Sequence, residues 1–192
     1  ISPDLLVCDL HPCYTTAEAS RKLAKELDVP VLEVQHHHGH ALSVIAEHHL
    51  DGKCLAVIFD GTGFGPDGTV WGGEFLLCED QSFTRVGAVK PIPMISGDES
   101  VRQAWKSLLC HLIHSGIPSD GKRAAVVKAA VAGEVNIIKS SSMGRLFDAM
   151  SAALGLANYN TYQGRCAMLL ENQAALAKRE RKIPTEFSFN EE

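Results

Sequence analysis

The chain has 192 residues, of which 45% are hydrophobic and 21% are charged, and its formal net charge is -5. Because an acidic chain without a Lys/Arg cluster is poorly suited to phosphate groups, we expect neither nucleic acid nor an anionic membrane surface as a direct partner. The longest strongly apolar run, Leu55–Phe59, is far shorter than the ~20 residues that span a bilayer. No membrane-embedded segment is expected.

Six widely spaced cysteines include no C-x-x-C pair. This spacing indicates reduced, mostly buried thiols in a cytoplasmic protein, and it disfavours a disulfide framework or a zinc ribbon. The first residues, Ile1–Asp4, contain no signal-peptide pattern, so export is not expected. Since the chain does not begin with Met and starts inside what looks like a strand, we expect it to be a fragment of a longer protein.

The first fifty residues predict two strands that alternate with two helices. Leu5–Leu10 is a short apolar run that stops before a proline, which predicts a buried strand. A helix follows, capped by Thr15 or Thr16, and it ends before the second strand, Val31–Val34. Strand, helix and strand in this order predict a parallel pair. The second helix begins near His36.

After the second helix the pattern changes from alternating strands and helices to consecutive strands. Cys54–Phe59 reads as a buried strand, Asp60–Gly68 as a glycine-rich loop and Thr69–Leu77 as a second strand, which together predict a β-hairpin. Arg85–Val89 would add a third antiparallel strand and complete a β-meander. Later helices are predicted at Val101–Ile113, Arg123–Ala132, Gly144–Leu154 and Cys166–Lys182. The fold class is therefore mixed α/β.

A histidine cluster opens the second helix, at His36-His37-His38-Gly39-His40. Two histidines four residues apart on a helix share one face, so the imidazoles of His36 and His40 can bind one metal ion. His37 occupies the place of the Glu in the H-E-x-x-H motif, so peptide hydrolysis is not supported. A solvated histidine cluster is the alternative. We expect His37 and His38 to have structural or supporting roles, and a metal site would need a third ligand from elsewhere.

The glycine-rich segment Asp60–Thr69 is the second candidate site. A carboxylate at a strand end, followed by glycines and a hydroxyl group, can present backbone N–H groups to an anion. Asp60 and Asp67 are its candidate carboxylates. The alternative is an ordinary Asp-Gly hairpin turn. Paired glycines at Gly72 and Gly73 favour a site, because they weaken a strand unless a ligand or another backbone approaches closely.

A third candidate is the serine-rich start of the Gly144–Leu154 helix. Ser140–Ser142 can cap this helix, and its first N–H groups can meet a phosphate with Arg145 close by and Asp148 further along. A capped helix without a ligand fits the spacing equally well. The loop Tyr162–Arg165 has no function that its spacing alone reveals.

Taken together, four motifs resemble the carboxy-terminal region of the HypF family, the carbamoyltransferases of nickel-iron hydrogenase maturation. The motifs are Asp9-Leu10-His11-Pro12, His36–His40, Phe59–Gly65 with Trp71–Glu74, and Ser142–Asp148. The resemblance covers nearly the whole chain. It implies the duplicated actin-like ATPase, ribonuclease H-like architecture, with a mixed sheet, an antiparallel meander and flanking helices. Residues 1–192 would form about half of such a carbamoyltransferase domain within a larger multidomain protein.

The resemblance also implies a chemistry. Carbamoyl phosphate and ATP, with Mg²⁺, give carbamoyl-adenylate in an upstream domain. The domain resembled here then passes the carbamoyl group to the carboxy-terminal cysteine of a HypE acceptor, and that group becomes a cyanide ligand of iron. The partners implied are HypE, carbamoyl-adenylate and the rest of the parent HypF chain.

The family match assigns roles to individual residues. His36 and His40 would hold a divalent metal, zinc or iron, and would form the catalytic centre with Asp60; imidazole and carboxylate ligands suit nickel as well. The family's third metal ligand, an Asp, would come from the part of the domain outside this chain. The residues implied in binding the adenylate are Asp60, Gly61, Thr62, Gly63, Gly72, Gly73, Glu74, Arg145, Asp148 and Gly164.

The chain departs from the family pattern at three positions. Cys13 stands where an acidic residue is usual, Gln163 where Glu is usual, and Arg165 where Gln is usual. The last two lie on the implied nucleoside side of the site. We expect the isolated chain to be catalytically incomplete and to expose surface that the missing half of the domain covers.

Other functions are compatible with parts of this pattern. A small-molecule O-carbamoyltransferase of the same architecture differs only in its acceptor. A non-catalytic scaffold that binds metal and nucleotide would need only an intact surface. An actin-like sugar kinase is disfavoured, because that chemistry holds Mg²⁺ with phosphates and carboxylates and gives a histidine metal site no role.

Overall fold

The structure is a computed structural model that describes residues 2–177. It confirms the mixed α/β class. In chain order the elements are β1 (Leu6–Asp9), α1 (Thr15–Leu27), β2 (Val31–Val34), α2 (His36–Glu47), β3 (Cys54–Phe64), β4 (Val70–Glu79), β5 (Ser82–Ala88), β6 (Ile92–Ile95), α3 (Asp98–Arg102), α4 (Ala104–His114), α5 (Lys122–Ala132), β7 (Ile137–Ser140), α6 (Met143–Ala153) and α7 (Arg165–Ala175). Within the described residues, no helix has the length and apolar character needed to cross a bilayer.

The first two strands form a parallel pair, as predicted, and α1 connects them. β1 is not buried as expected, since Val7 is 58% exposed. Their register runs from Leu6 opposite Val31 to Asp9 opposite Val34. The predicted threonine cap of α1 is wrong: the helix already includes Thr15, and Tyr14 precedes it in extended conformation without a side-chain cap. Since both strands end at the same edge, Asp9 lies beside the start of α2.

A second sheet of five strands contains the predicted meander. β4 pairs antiparallel with β3 on one side and with β5 on the other. β6 and β7 were not predicted; they pair antiparallel with each other, and β7 joins the sheet through a parallel contact between Val70 and Ser140. Pro93 lies within β6, at the edge of the sheet, where a strand can lack an N–H donor.

Two predicted boundaries are wrong for local reasons. Asp60–Gly68 is not entirely a loop, because β3 continues to Phe64 and its pairing with β4 is interrupted by a bulge between Phe59 and Gly63. The predicted helix Val101–Ile113 is two helices, α3 and α4, which are separated by the non-helical backbone of Gln103.

The remaining helices cover the second sheet and one another. α4 packs against α6 and β6, and α6 packs against α7 and β3. Ser142 caps α6 as predicted, since its Oγ accepts a hydrogen bond from the backbone N–H of Arg145 at 3.1 Å. Residues 178–182 of the predicted last helix lie outside the described residues. All six cysteines are free; Cys78, Cys110 and Cys166 are buried.

Candidate functional site

Two histidines and a carboxylate converge where α2 meets β3. Gln35 precedes α2, and its side-chain oxygen caps the helix by accepting the N–H of His38 at 2.8 Å. This start places His36 and His40 one turn apart, with their Nε2 atoms separated by 3.2 Å. Asp60 Oδ2 lies 3.3 Å from His36 Nε2 and 4.0 Å from His40 Nε2. The candidate ligand atoms of His36, His40 and Asp60 all lie within 4.8 Å of one another.

The three side chains fit a divalent metal ion. Asp60 Oδ2 is buried without a hydrogen-bond partner, so this oxygen has free coordinating capacity. His36 Nδ1 lies 2.7 Å from Asp9 Oδ2, and this contact leaves its Nε2 free to face the cluster. A metal-binding histidine ordinarily contacts a carboxylate or carbonyl through its other ring nitrogen in this way. Two imidazoles and one carboxylate suit zinc or iron.

The charge state of Asp60 also favours a cation. Burial opposes its ionisation, but the imidazole of His37, the N–H of Gly61 and the positive field of His36 outweigh burial and lower the pKa of the carboxyl group. The N–H of Gly61 donates to Asp60 Oδ1 at 2.6 Å, which leaves Oδ2 as the oxygen that faces the histidines. Asp60 is therefore anionic at neutral pH, the charge state in which a carboxylate can bind a cation.

The bulge in β3 turns Asp60 towards the histidines. The fully buried ring of His37 lies against the bulged segment, with its Nε2 3.5 Å from Asp60 Oδ2. A Cβ atom on Gly63 would lie 2.2 Å from His37 Cε1, so only glycine fits there. Gln35 Nε2 donates to the carbonyl of Phe64 at 3.0 Å. Bulges often redirect side chains beside functional sites.

Close backbone packing accounts for the other glycines of the predicted site. A Cβ atom on Gly72 would lie 2.7 Å from the Asp60 carbonyl, and one on Gly73 would lie 2.7 Å from the Ser141 carbonyl. A Cβ atom on Gly144 would lie 2.8 Å from Gly61 Cα. The close approach that the paired glycines indicated is thus made by backbone. It brings the N-terminus of α6 against Asp60 and Gly61.

Glu74 is fully buried, and protein donors occupy both of its carboxylate oxygens. Oε1 accepts the N–H groups of Gly72 and Gly73, at 3.1 and 3.3 Å, and the hydroxyl of Ser141. Oε2 accepts Nε of Arg85 at 2.7 Å. In this structure Glu74 holds the two glycines and the segment before α6 in place.

Arg145 and Asp148 form an ion pair on α6, with 2.9 Å between Nη2 and Oδ2. Burial raises the pKa of Asp148, although Arg145 and Asn160 act in the opposite direction. Asn160 donates to Asp148 Oδ1 at 2.9 Å and accepts the N–H of Cys166 at 2.8 Å. This bridge ties Asp148 to the start of α7, where Gly164 has a φ of +76°.

A cavity of about 120 Å³ lies between β6, β7 and the helices α3 and α4. Thr62 and Arg145 line its wall on the side of the glycine-rich segment. Lys106 contributes a second cation, and most of the remaining wall is apolar. Two of the predicted binding residues, Thr62 and Arg145, therefore share one cavity.

Sequence reasoning missed several residues that support the cluster. Asp9 was part of a recognised motif without a role, although the shared edge of two predicted parallel strands could have placed it beside His36. Arg85 gave no signal beyond its place in a predicted strand. Asn160 lies in a segment without a predicted element, so its bridging contacts were not foreseeable.

The chain matches two descriptions of the same protein family. Residues 1–47 match the HypF Kae1-like domain, and residues 56–192 match the "Carbamoyltransferase, Kae1-like Domain, second subdomain". The gap between the two matches, residues 48–55, begins after the end of α2 and includes the first two residues of β3. The chain therefore crosses from one matched domain into the second subdomain.

Curated relatives and solved structures agree with this assignment. The chain is 37% identical to carbamoyltransferase HypF2 of Cupriavidus necator, over 91% of this chain and 22% of the relative. It is 39% identical to carbamoyltransferase HypF of Rhodobacter capsulatus, over 90% of this chain and 25% of that relative. The chain thus spans about a quarter of the length of these relatives.

Two crystal structures show the fold. Full-length HypF in a phosphate- and nucleotide-bound form superposes with a TM-score of 0.85 at 32% identity, over 99% of this chain and 30% of that one. HypF of T. kodakarensis superposes with a TM-score of 0.82 at 31% identity, over 94% of this chain and 26% of that one. The expected actin-like, ribonuclease H-like fold is confirmed, and the chain belongs to the family of HypF Kae1-like carbamoyltransferase domains.

Proposed function

We propose that this chain contributes to the carbamoyl-transfer site of a HypF-type carbamoyltransferase, and that residues 1–192 are part of its Kae1-like domain. The observation that carries the proposal is the convergence of His36, His40 and Asp60 beside the glycine-rich segment. The donor would be carbamoyl-adenylate, made from carbamoyl phosphate and ATP with Mg²⁺. The acceptor would be the carboxy-terminal cysteine of a HypE-like protein, as in the synthesis of the hydrogenase cyanide ligand.

His36 and His40 would hold a divalent metal, zinc or iron, through their Nε2 atoms, with Asp60 Oδ2 as the third ligand from this chain, beside the Asp that the family match places outside it. When bound, the metal would supply Lewis-acid polarisation of a carbamoyl or phosphate oxygen. Asp9 would fix the orientation of His36, and Asp60 would remain ionised because its pKa is lowered by His37, Gly61 and His36 against the effect of burial.

The chain's own groups would bind the phosphate of the adenylate. The N-terminus of α6 packs against Gly61 through Gly144, so its first-turn N–H groups lie beside the Asp60–Gly63 segment. Thr62 offers a hydroxyl group, and Arg145 adds a positive charge on the same cavity wall. A crystal structure of a HypF relative in a phosphate- and nucleotide-bound form supports an anion site in this family.

The remaining predicted binding residues would act in two ways. Gly72, Gly73 and Glu74 would shape the site from behind, since their contacts are with the protein. Asp148 would position Arg145, and Gly164 would begin the helix that borders the nucleoside. The rest of the parent chain would complete the site.

In the proposed reaction the acceptor thiolate attacks the carbamoyl carbon. A carbon–sulfur bond forms, the bond from that carbon to the phosphate oxygen breaks, and AMP leaves with the electron pair. Backbone N–H groups near Gly61 would stabilise the charge on the departing phosphate. We place this reaction in the cytoplasm, in keeping with the six free cysteines.

The test uses the full-length parent with carbon-labelled carbamoyl phosphate, ATP and a HypE-like acceptor. The proposal predicts label on the acceptor's carboxy-terminal cysteine, at least a hundredfold less with Asp60→Ala, and no loss with Asp51→Ala in the exposed turn before β3. Label only on a small-molecule hydroxyl would replace this function with O-carbamoyl transfer. Unchanged transfer in Asp60→Ala would contradict a catalytic role for this chain and favour a non-catalytic scaffold.

A further inference from the structure

A charged network contacts Trp71, whose ring lies near that of His37 beside the candidate metal site. Its outer member is Asp67, in the turn between β3 and β4. Asp67 Oδ1 accepts three hydrogen bonds, from Thr69 N at 3.0 Å, Thr69 Oγ1 at 2.7 Å and Trp71 Nε1 at 3.0 Å. Its second oxygen, Oδ2, accepts Arg85 Nη1 at 2.8 Å. Asp67 therefore fixes the turn, the indole and the arginine at once.

Arg85 connects the same turn to the interior of the sheet. Its guanidinium group lies over the Trp71 ring, 4.3 Å from the ring centroid. Its Nε donates to the buried Oε2 of Glu74 at 2.7 Å. A planar guanidinium group that donates to two different carboxylates and stacks on an aromatic face has a geometry that lysine cannot reproduce. The Trp71 ring is thus held on one face by Arg85 and at its N–H by Asp67.

His37 and Trp71 lie against the end of the bulged part of β3 and the residues that follow it. The Trp71 side chain is 3% exposed, and its ring centroid is 6.1 Å from that of His37. A Cβ atom on Gly65 would lie 2.4 Å from the indole, just as one on Gly63 would meet the His37 ring. Asp60 lies in the bulged segment, in contact with His37, and Trp71 packs against Gly65 just beyond it.

We propose that Asp67 and Arg85 are positioning residues of the metal centre, and that they act through Trp71 and His37 to set the place of Asp60. This inference rests on the proposed metal site of His36, His40 and Asp60. If Trp71 is released, His37 loses its support and the bulge relaxes. Asp60 Oδ2 then moves relative to the two imidazole nitrogens. The network touches neither the metal nor the substrate, so its effect is on geometry.

A purely structural role makes a different prediction. Loss of the network would then lower the free energy of unfolding, yet any folded molecule would bind metal as the wild type does. A positioning role also changes the coordination of folded protein. Mutation of groups that orient metal ligands typically costs 10- to 100-fold in metal affinity.

The test measures Co²⁺ affinity and the visible spectrum of the bound Co²⁺, below the unfolding temperature of each variant. Arg85→Met should weaken Co²⁺ binding about tenfold and alter the spectrum, and Arg85→Lys should recover only part of the loss. Arg21→Met is the matched control, because it removes a similar 2.7 Å contact, to Glu33, on the first sheet. Wild-type affinity and spectrum in folded Arg85→Met would overturn the proposal.

Two further measurements test the proposal if Arg85→Met does not fold or if a readout without metal is needed. Trp71→Phe keeps an aromatic ring but loses the bond to Asp67 and part of the buried indole. It replaces Arg85→Met if that variant does not fold. The ¹⁵N resonances of the His37 ring in metal-free protein report on the same contact without metal. They should shift in the Arg85 variants, and unshifted resonances would overturn the proposal. Absence of Co²⁺ binding by wild type would instead contradict the proposed metal site.

Discussion

The imidazole of His36 is held from behind by Asp9, with 2.7 Å between Nδ1 and Oδ2. Asp9 ends β1 and His36 begins α2, so the contact exists because β1 and β2 run parallel and end at one edge. Asp9 Oδ1 also accepts the N–H of His11 at 2.7 Å, which fixes the carboxylate. The orientation of His36 is therefore built into the first sheet.

Replacement of Asp9 should weaken metal binding without unfolding the chain. We expect Asp9→Ala to reduce Zn²⁺ affinity 10- to 100-fold, because the ring of His36 loses its partner. Asp9→Asn keeps an acceptor oxygen, so its Zn²⁺ affinity should lie between those of Asp9→Ala and the wild type. Competition with a chromogenic chelator measures the affinity. The exposed Asp4→Ala should bind as the wild type does, and an Asp9→Ala variant of unchanged affinity would contradict this account.

Gly63 should tolerate no side chain, since a Cβ atom would lie 2.2 Å from His37 Cε1. We expect Gly63→Ala to lower the free energy of unfolding by about 1–3 kcal/mol, the usual cost of overpacking. Gly61→Ala, two residues earlier on the same strand, meets no heavy atom within 4 Å and should change it by less than about 0.5 kcal/mol. Urea denaturation of both variants measures the difference, and equal effects would be inconsistent with the His37 contact.

Asp148 should give the chain a distinct dependence of stability on pH. Burial raises its folded pKa above the unfolded value, which is about 3.9, so the folded state keeps the proton to higher pH. Between these two values the free energy of unfolding of the wild type falls as pH rises. Asp148→Asn lacks this titration.

The difference in unfolding free energy, wild type minus Asp148→Asn, should therefore be largest at acid pH. It should decline as pH rises through the folded pKa and become constant above it. Denaturation of both proteins across this range checks the prediction. A difference that grows with rising pH would mean that the folded pKa of Asp148 is lowered.

β3 should make the isolated chain self-associate. It lies at the edge of its sheet among the described strands, and Leu55, Val57 and Phe59 are 61%, 53% and 58% exposed. Edge strands with apolar side chains pair readily with other chains. Light scattering after gel filtration should show association that rises with concentration and is reduced by Val57→Lys. Val126→Lys, at a 67% exposed position on α5, should leave it unchanged. A wild type that stays monomeric at all concentrations would refute this prediction.

Local patterns predicted much of the fold correctly. Leu5–Leu10 and Val31–Val34 gave the parallel pair, because short apolar runs around a helix have few other arrangements. The β-meander could be predicted from short apolar strand patterns separated by turn residues. β7 was missed, since Ile137–Ser140 is short and bonds to β4 at one position only. Such a strand is defined by its neighbours and not by its own residues.

The candidate site was predicted in part. His36 and His40 could be paired from helical spacing, because only residues separated by about one turn share a face. The approach of Asp60 to them depends on a bulge and on the contact of Gly63 with His37, which joins distant parts of the chain. Spacing along the sequence carries no information about such contacts. The same holds for Arg85 and Glu74, whose ion pair joins two strands.

Metal content tests the central claim most directly. Elemental analysis of tag-free protein should find close to one zinc or iron per chain in the wild type and almost none in His36→Ala/His40→Ala. His48→Ala/His49→Asn changes the exposed histidine pair that follows α2 and should keep the metal; asparagine suits the positive φ of residue 49. Metal retained in His36→Ala/His40→Ala, or absent from the wild type, would contradict a metal centre at His36, His40 and Asp60.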